Sequence, residues 1–167
     1  MTHANTIRPT VLDPAAGRQM RLIADLVTVK ATTAGTGGAF ALFETRTPPG
    51  GGFPLHMQCY DDATYVVLDG TYRFRIGDET LDLEPGSYAF VPRGTPHGAA
   101  NESHAPARML VIASPGGVWE RFIDEMGDAV GRAPWAIDMA RVLAVAPKYG
   151  IAFEPPGAGD DAGGAPD

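Results

Sequence analysis

Along most of this chain apolar side chains recur at every second position. They come in short runs separated by glycine, proline and aspartate, the pattern of half-buried β-strands joined by tight turns. Met20, Leu22, Leu26, Val27 and Val29 read as one or two strands broken near Ala24–Asp25. Residues 39–47 alternate Phe40, Leu42 and Glu44 against Ala41, Phe43 and Thr45, and residues 64–69 form a β-branched and aromatic run, the composition a pleated surface favours. Tyr72, Phe74 and Ile76 alternate with Arg73 and Arg75, which predicts a strand with one dry and one wet face. Gly77-Asp78 predicts a two-residue hairpin turn, after which Leu81 and Leu83 continue the alternation; residues 88–91 and 107–113 are further strands. The period then changes. After Ser114-Pro115, read as a cap and first helical residue, Val118, Trp119, Phe122, Ile123 and Met126 fall at helical spacing, with one apolar face. A second helix is predicted over 137–146, stopping before Pro147, and the apolar stretch 149–153 is expected to dock on the sheets. The pattern predicts an all-β sandwich or barrel with short C-terminal helices.

The 167 residues include 21 glycines and 15 prolines, which agrees with many turns. They divide into a polar arm over 1–18, one domain over 19–154 and a tail over 155–167. The tail has almost nothing to bury and is expected to be disordered. A net charge of −7 argues against a nucleic-acid partner, because phosphate binding needs a basic face. It also argues against an anionic membrane surface. No apolar run reaches the roughly 18 residues of a spanning helix, and the first ten residues lack the basic-then-apolar order of a signal peptide. The single cysteine, Cys59, rules out an intrachain disulfide and fits a reducing compartment; its strand parity predicts a small packed residue. A soluble, cytoplasmic protein is expected.

Two polar clusters stand out. His56 and Gln58 are two residues apart, which in a strand puts both side chains on one face. His97 follows the glycine- and proline-rich loop 92–96, which can aim it at the same point. Two imidazoles and an amide oxygen could bind a borderline metal such as Zn, Ni, Fe, Co or Mn; equally, each histidine could be an ordinary pocket residue with its hydrogen bonds met. Parity with His56 and Gln58 turns Ala63, Tyr65 and Val67 inward. Phe40, Leu42, Tyr72, Phe74, Phe90 and Met109 join them as candidate lining residues of an apolar small-molecule cavity, although any one of them is as well explained as barrel core.

The arrangement Gly50-x5-His56-x-Gln58-x4-Ala63-x6-Gly70 resembles the first cupin motif, G-x5-H-x-H-x(3–4)-E-x6-G. The arrangement Gly86-x5-Pro92-x-Gly94-x2-His97-x3-Asn101 matches the second, G-x5-P-x-G-x2-H-x3-N, at every fixed position. From about residue 18 to 156 the chain resembles a single-domain cupin of the quercetin 2,3-dioxygenase-like group, with a degenerate first motif. The resemblance implies a double-stranded β-helix (a jelly-roll barrel), usually dimeric, with its site inside the barrel mouth. It also implies a divalent metal held by three histidines and a glutamate. His56 and His97 match two of those ligands. Gln58 stands where another histidine belongs and Ala63 where the glutamate belongs, so a metal would be held weakly by His56, Gln58 and His97 or not at all. An irregular strand start could bring Asp61 or Asp62 in to replace the lost carboxylate.

Three functions follow from that departure. The first is an enzyme acting on an apolar, aromatic or polyketide-like substrate by cyclisation, isomerisation or dehydration. In it His56 or His97 serves as acid/base and Gln58 as hydrogen-bond donor. The second is a metal-dependent dioxygenase like its relatives. The third is a non-catalytic small-ligand module. The expected partners are a small molecule and a second copy of the chain in a homodimer, with no nucleic acid and no membrane.

Overall fold

A computed structural model describes residues 7–129 and 139–154. Its strands are β1 (Arg18–Leu22), β2 (Asp25–Ala31), β3 (Ala41–Thr47), β4 (Gly52–Gln58), β5 (Asp62–Asp69), β6 (Tyr72–Ile76), β7 (Glu79–Leu83), β8 (Tyr88–Val91), β9 (His97–Ala100) and β10 (Ala107–Ser114). Helix α1 (Val118–Met126), the short strand β11 (Asp128–Ala129), helix α2 (Met139–Val145), a 3-10 turn (Ala146–Tyr149) and β12 (Ile151–Phe153) complete it. The strands form two antiparallel sheets in the orders β11-β1-β2-β3-β10-β5-β8 and β12-β4-β9-β6-β7. Partners distant in sequence, such as β3 and β10 or β4 and β9, lie side by side, as the double-stranded β-helix requires. Among the described residues no helix is long and apolar enough to cross a membrane. The tail over 155–167 and residues 1–6 of the arm lie outside the described residues, as do positions 137 and 138 of the second helix.

Alternation along each strand decides the inner face. In β10 the residues Ala107, Met109, Val111 and Ala113 are buried and their neighbours are not. In β6, Tyr72 and Phe74 are buried while Arg73 and Arg75 face water, and Arg73 pairs with Asp82 across the hairpin. The Gly77-Asp78 turn is present, with Ile76 opposite Glu79 and Gly77 at φ 57°.

The chain departs from the sequence reading in several places. Residues 52–54, which the alternation leaves unassigned, are strand. A bulge between Phe53 and His56 in the β4–β9 pairing is permitted by Gly52, at φ 144°, where a Cβ would stand 2.1 Å from the Ala99 carbonyl oxygen. Helix α1 starts at Val118 with Gly117 at its N-cap, not at Pro115. The helix is also more than an appendage. Phe122, Ile123 and Met126 are buried against the barrel, and complete burial of such a side chain stabilises by about 2 kcal/mol.

Strand β12 docks as expected, pairing with β4 so that Phe153 stands opposite His56 and Ile151 opposite Gln58. Cys59 is exposed, not packed, because the chain leaves β4 at Gln58 and bends outward before β5 begins.

Candidate active site

His56 and Gln58 share the inner face of β4 and are 2% and 3% exposed. His97 opens β9 directly opposite His56, and the two rings lie 4.4 Å apart between centroids. The second motif does structural work around them. The Gly94 N–H donates to the Gln58 carbonyl at 2.7 Å. Asn101, fully buried, donates to the Thr47 and Ala105 carbonyls and accepts from the Ser103 N–H.

The tautomers follow from the hydrogen bonds. His56 Nδ1 lies 3.0 Å from the Pro54 carbonyl and His97 Nδ1 lies 2.9 Å from the Thr95 carbonyl. A carbonyl only accepts, so each Nδ1 carries the proton and each Nε2 presents a lone pair. His97 Nε2 accepts the Tyr65 hydroxyl at 2.8 Å. His56 Nε2 has no partner, nor has Gln58 Oε1. Burial, and then the neighbouring His97, push the His56 imidazole down to about 3. Burial also lowers His97, against the pull of the Thr95 carbonyl. Both rings are therefore neutral at physiological pH. Burial, followed by the nearby Asp61 charge, holds the Tyr65 phenol protonated well above its usual range.

A cavity of about 40 Å³ opens against this group, space for a few water molecules. His56 and Tyr65 reach it. Its walls are aromatic and aliphatic: Phe43 and Phe53 from the sheets, Trp119 and Phe122 from α1, Phe153 from β12. Trp119 and Phe153 stack on the His56 ring at 5.6 and 5.4 Å, while Phe53 stacks on Tyr65 at 5.7 Å.

Of the nine lining residues expected from the sequence, Tyr65 alone borders this cavity. Ala63, Val67, Tyr72, Phe74 and Met109 are buried as barrel core. Phe40, Leu42 and Phe90 are corrections. The buried parity of β3 is Ala41, Phe43, Thr45 and Thr47, and that of β8 is Ala89 and Val91. Phe40 and Leu42 instead line an outer groove with Ile7 and Leu12, and Phe90 is 51% exposed. The aromatic walls from α1 and β12 were missed as lining, although the helical spacing of Trp119 and Phe122 signalled an apolar face seeking cover.

The two aspartates part company. Asp62 turns outward and takes the Arg93 backbone and guanidinium at 2.9–3.0 Å. Asp61 turns inward to 1% exposure. Its Oδ2 accepts the Trp119 N–H at 3.0 Å and its Oδ1 has no partner. Burial raises its carboxyl, opposed by that N–H. Asp61 thus ties the start of α1 over the cavity.

A resident metal needs donors converging on one point. Two imidazoles meet here, one with its Nε2 already occupied by Tyr65. Ala63 offers no donor, and among the described residues no three His, Cys, Asp or Glu side chains form a group able to hold a metal ion. The residues present do not fit the three-histidine, one-glutamate centre.

Comparison with known proteins gives consistent results. Residues 43–113 match the family described as "Cupin domain". A 96-residue stretch, 58% of the chain, is 31% identical to quercetin 2,3-dioxygenase of Bacillus subtilis strain 168 and covers 28% of that protein. The chain therefore spans well under half the length of this curated relative. Among solved structures, KdgF from Halomonas superposes with a TM-score of 0.59 at 16% identity, over 66% of this chain and 96% of that one. The polyketide cyclase RemF of Streptomyces resistomycificus gives 0.57 at 23% identity, over 65% of this chain and 80% of its own. Likenesses at these identities speak to the fold.

Proposed function

We propose, from the match of residues 43–113 to the cupin domain family and from the site's geometry, that the protein is a proton-transfer enzyme. It isomerises, cyclises or dehydrates a small apolar molecule that carries a carbonyl group. The observation that carries this reading is the buried His56 Nε2, which has no hydrogen-bond partner, on a residue that lines an apolar cavity together with Tyr65. His56 takes the proton from the carbon or hydroxyl next to the carbonyl. It is neutral across the physiological range, and because the burial that keeps it neutral also weakens it as a base, proton removal leans on the hydrogen bond that Tyr65 gives the carbonyl. Tyr65 turns its O–H from His97 to the carbonyl oxygen, exchanging one acceptor for another, and stabilises the charge that develops there. His97 is a positioning residue that holds Tyr65 in place. The aromatic walls exclude water and orient the ring or chain of the substrate. At about 40 Å³ the cavity is smaller than the roughly 150 Å³ that takes a benzene ring, so the substrate is a single ring or short chain rather than polyketide-like, and it enters as the aromatic walls from α1 and β12 give way. The resemblance of the fold to a polyketide cyclase is compatible with this class of chemistry.

The test is deuterium exchange into phenylacetone in D2O, followed by proton NMR. The protein should accelerate loss of the signals next to the carbonyl, and His56→Ala should abolish the acceleration. Exchange at the buffer rate, or undiminished exchange in His56→Ala, would refute the reading.

The relative from Bacillus subtilis and the unpartnered Gln58 Oε1 favour a second reading, a metal-dependent dioxygenase. Metal analysis of untagged protein purified without chelator separates the two. Near one metal per chain puts the dioxygenase first; far less leaves the proton-transfer reading standing.

A further inference from the structure

The cavity has a second polar end that the proton transfer does not use. Asp25 opens β2 and is 5% exposed; Thr45 lies on β3 and is 8% exposed. Both line the cavity that reaches His56 and Tyr65, and Asp25 Oδ1 and Thr45 Oγ1 both lack a hydrogen-bond partner.

Register places them far from Tyr65. Thr45 stands opposite Val27 on one side and Met109 on the other, in the row of Val67. Tyr65 belongs to the next row, opposite Val111 and through it Phe43. From β2 to β5 the sheet crosses three strand spacings, about 14 Å along its surface. One pole of the cavity is thus His56 with Tyr65 and the other Asp25 with Thr45; apolar side chains line the space between, and the polar groups, reaching inward, stand closer together than their strands.

Internal needs do not account for the second pole. Thr47, beside Asp25, already accepts the Tyr72 hydroxyl at 3.0 Å, and that network leaves Oδ1 over. Tyr72 also lies close to Thr45, yet the Thr45 hydroxyl forms no bond of proper geometry. Valine would fill the same space in a strand without a hydroxyl to satisfy. Buried polar atoms left without partners call for an explanation, and a ligand supplies one. Oδ1 offers an acceptor and Thr45 an unspent O–H. An ammonium cannot accept from Thr45 and a carboxylate cannot donate to Asp25, whereas a hydroxyl does both.

We propose that Asp25 and Thr45 are the specificity-determining end of the cavity and bind a hydroxyl group of the substrate. The substrate is then a compact apolar compound with a carbonyl at one end and a hydroxyl at the other. The carbonyl end rests on the function proposed above; the hydroxyl end rests on Asp25 and Thr45 alone.

The test compares 4-hydroxyphenylacetone with phenylacetone by isothermal titration calorimetry. The hydroxylated probe should bind about tenfold more tightly to the unaltered protein, the worth of one well-made buried hydrogen bond. Thr45→Val should bring the ratio down to about one, Asp25→Asn, whose amide oxygen still accepts but carries no charge, should lower it, and Thr45→Ser should keep it near tenfold. If Asp25→Asn does not fold, the two Thr45 variants decide. Equal affinity for the two probes, as a simple water site would give, overturns the proposal. So does a ratio that survives Thr45→Val, or no binding of the hydroxylated probe at millimolar concentration. Deuterium exchange reads the other pole. Lost hydroxyl preference with exchange intact defeats this proposal alone, and retained preference without exchange defeats only the proton-transfer reading.

Discussion

Two buried groups in one cavity should tilt stability against pH in opposite directions. Unfolded His56 takes up a proton as pH falls through about 6.5, whereas the folded protein protonates it only near 3. Between these values the unfolded chain holds more protons, so this residue makes stability fall on acidification. The slope is about 1.4 kcal/mol per pH unit, or about 5 kcal/mol over the whole window. Asp25 works the other way. Its carboxyl titrates at 3.8 when unfolded and is pushed up to about 6 by burial. Between those values the folded chain holds more protons, so stability falls as pH rises, by about 3 kcal/mol. From pH 6 to pH 4 both windows overlap and the two slopes nearly cancel, so the pair together adds little tilt to the unaltered protein there. His56→Leu should become more stable by about 3 kcal/mol as pH drops from 6 to 4, and Asp25→Asn less stable by about the same amount. Urea unfolding followed by circular dichroism at half-unit pH steps, on chelator-treated protein, reads both slopes. Parallel profiles for the three proteins would refute the reasoning. So would tilts of the reverse sign.

Two more outcomes follow from the same groups. Tyr65→Phe leaves His97 Nε2 buried without its donor, and should cost about 1–3 kcal/mol in denaturant unfolding and about a hundredfold or more in catalysed exchange; an unchanged unfolding midpoint would show that the hydroxyl is not held there. Gln58→His combined with Ala63→Glu restores the ligands that the family pattern lacks here, and should bind about one divalent metal per chain by elemental analysis. The crowding of a glutamate at a 1%-exposed alanine should cost about 1–3 kcal/mol without metal.

Most of the barrel was legible because period-2 alternation and turn chemistry are local. Tyr72, Arg73, Phe74 and Arg75 declare their faces outright. Strand β3 does not, because Phe40 and Leu42 on one parity are as apolar as Ala41 and Phe43 on the other. The clue was Glu44 and Arg46, which share the outward parity; Glu44 pairs with both Lys30 and Arg108. The same ambiguity misplaced Phe90. His56, Gln58 and His97 were found by spacing and motif, and the structure brings the two rings together. Asp25 looked like a strand break, whereas it opens β2 opposite Leu22, on the inward parity of Val27 and Val29. The inward turn of Asp61 depends on a backbone N–H at Trp119, a contact that no local pattern encodes.

The seating of β12 against β4 also bears on how the molecule comes into being. A domain folds as a unit once its chain has been made. The motif histidines leave the ribosome early, but the aromatic faces that cover His56 come from Trp119 and Phe153, the latter near the end of the described chain. Until β12 has been made, His56 lacks the cover of Phe153 and β4 lacks its partner on that edge. The chemistry of the cavity is therefore completed late in biogenesis, and a nascent chain stalled before β12 would carry the motifs without a sealed site.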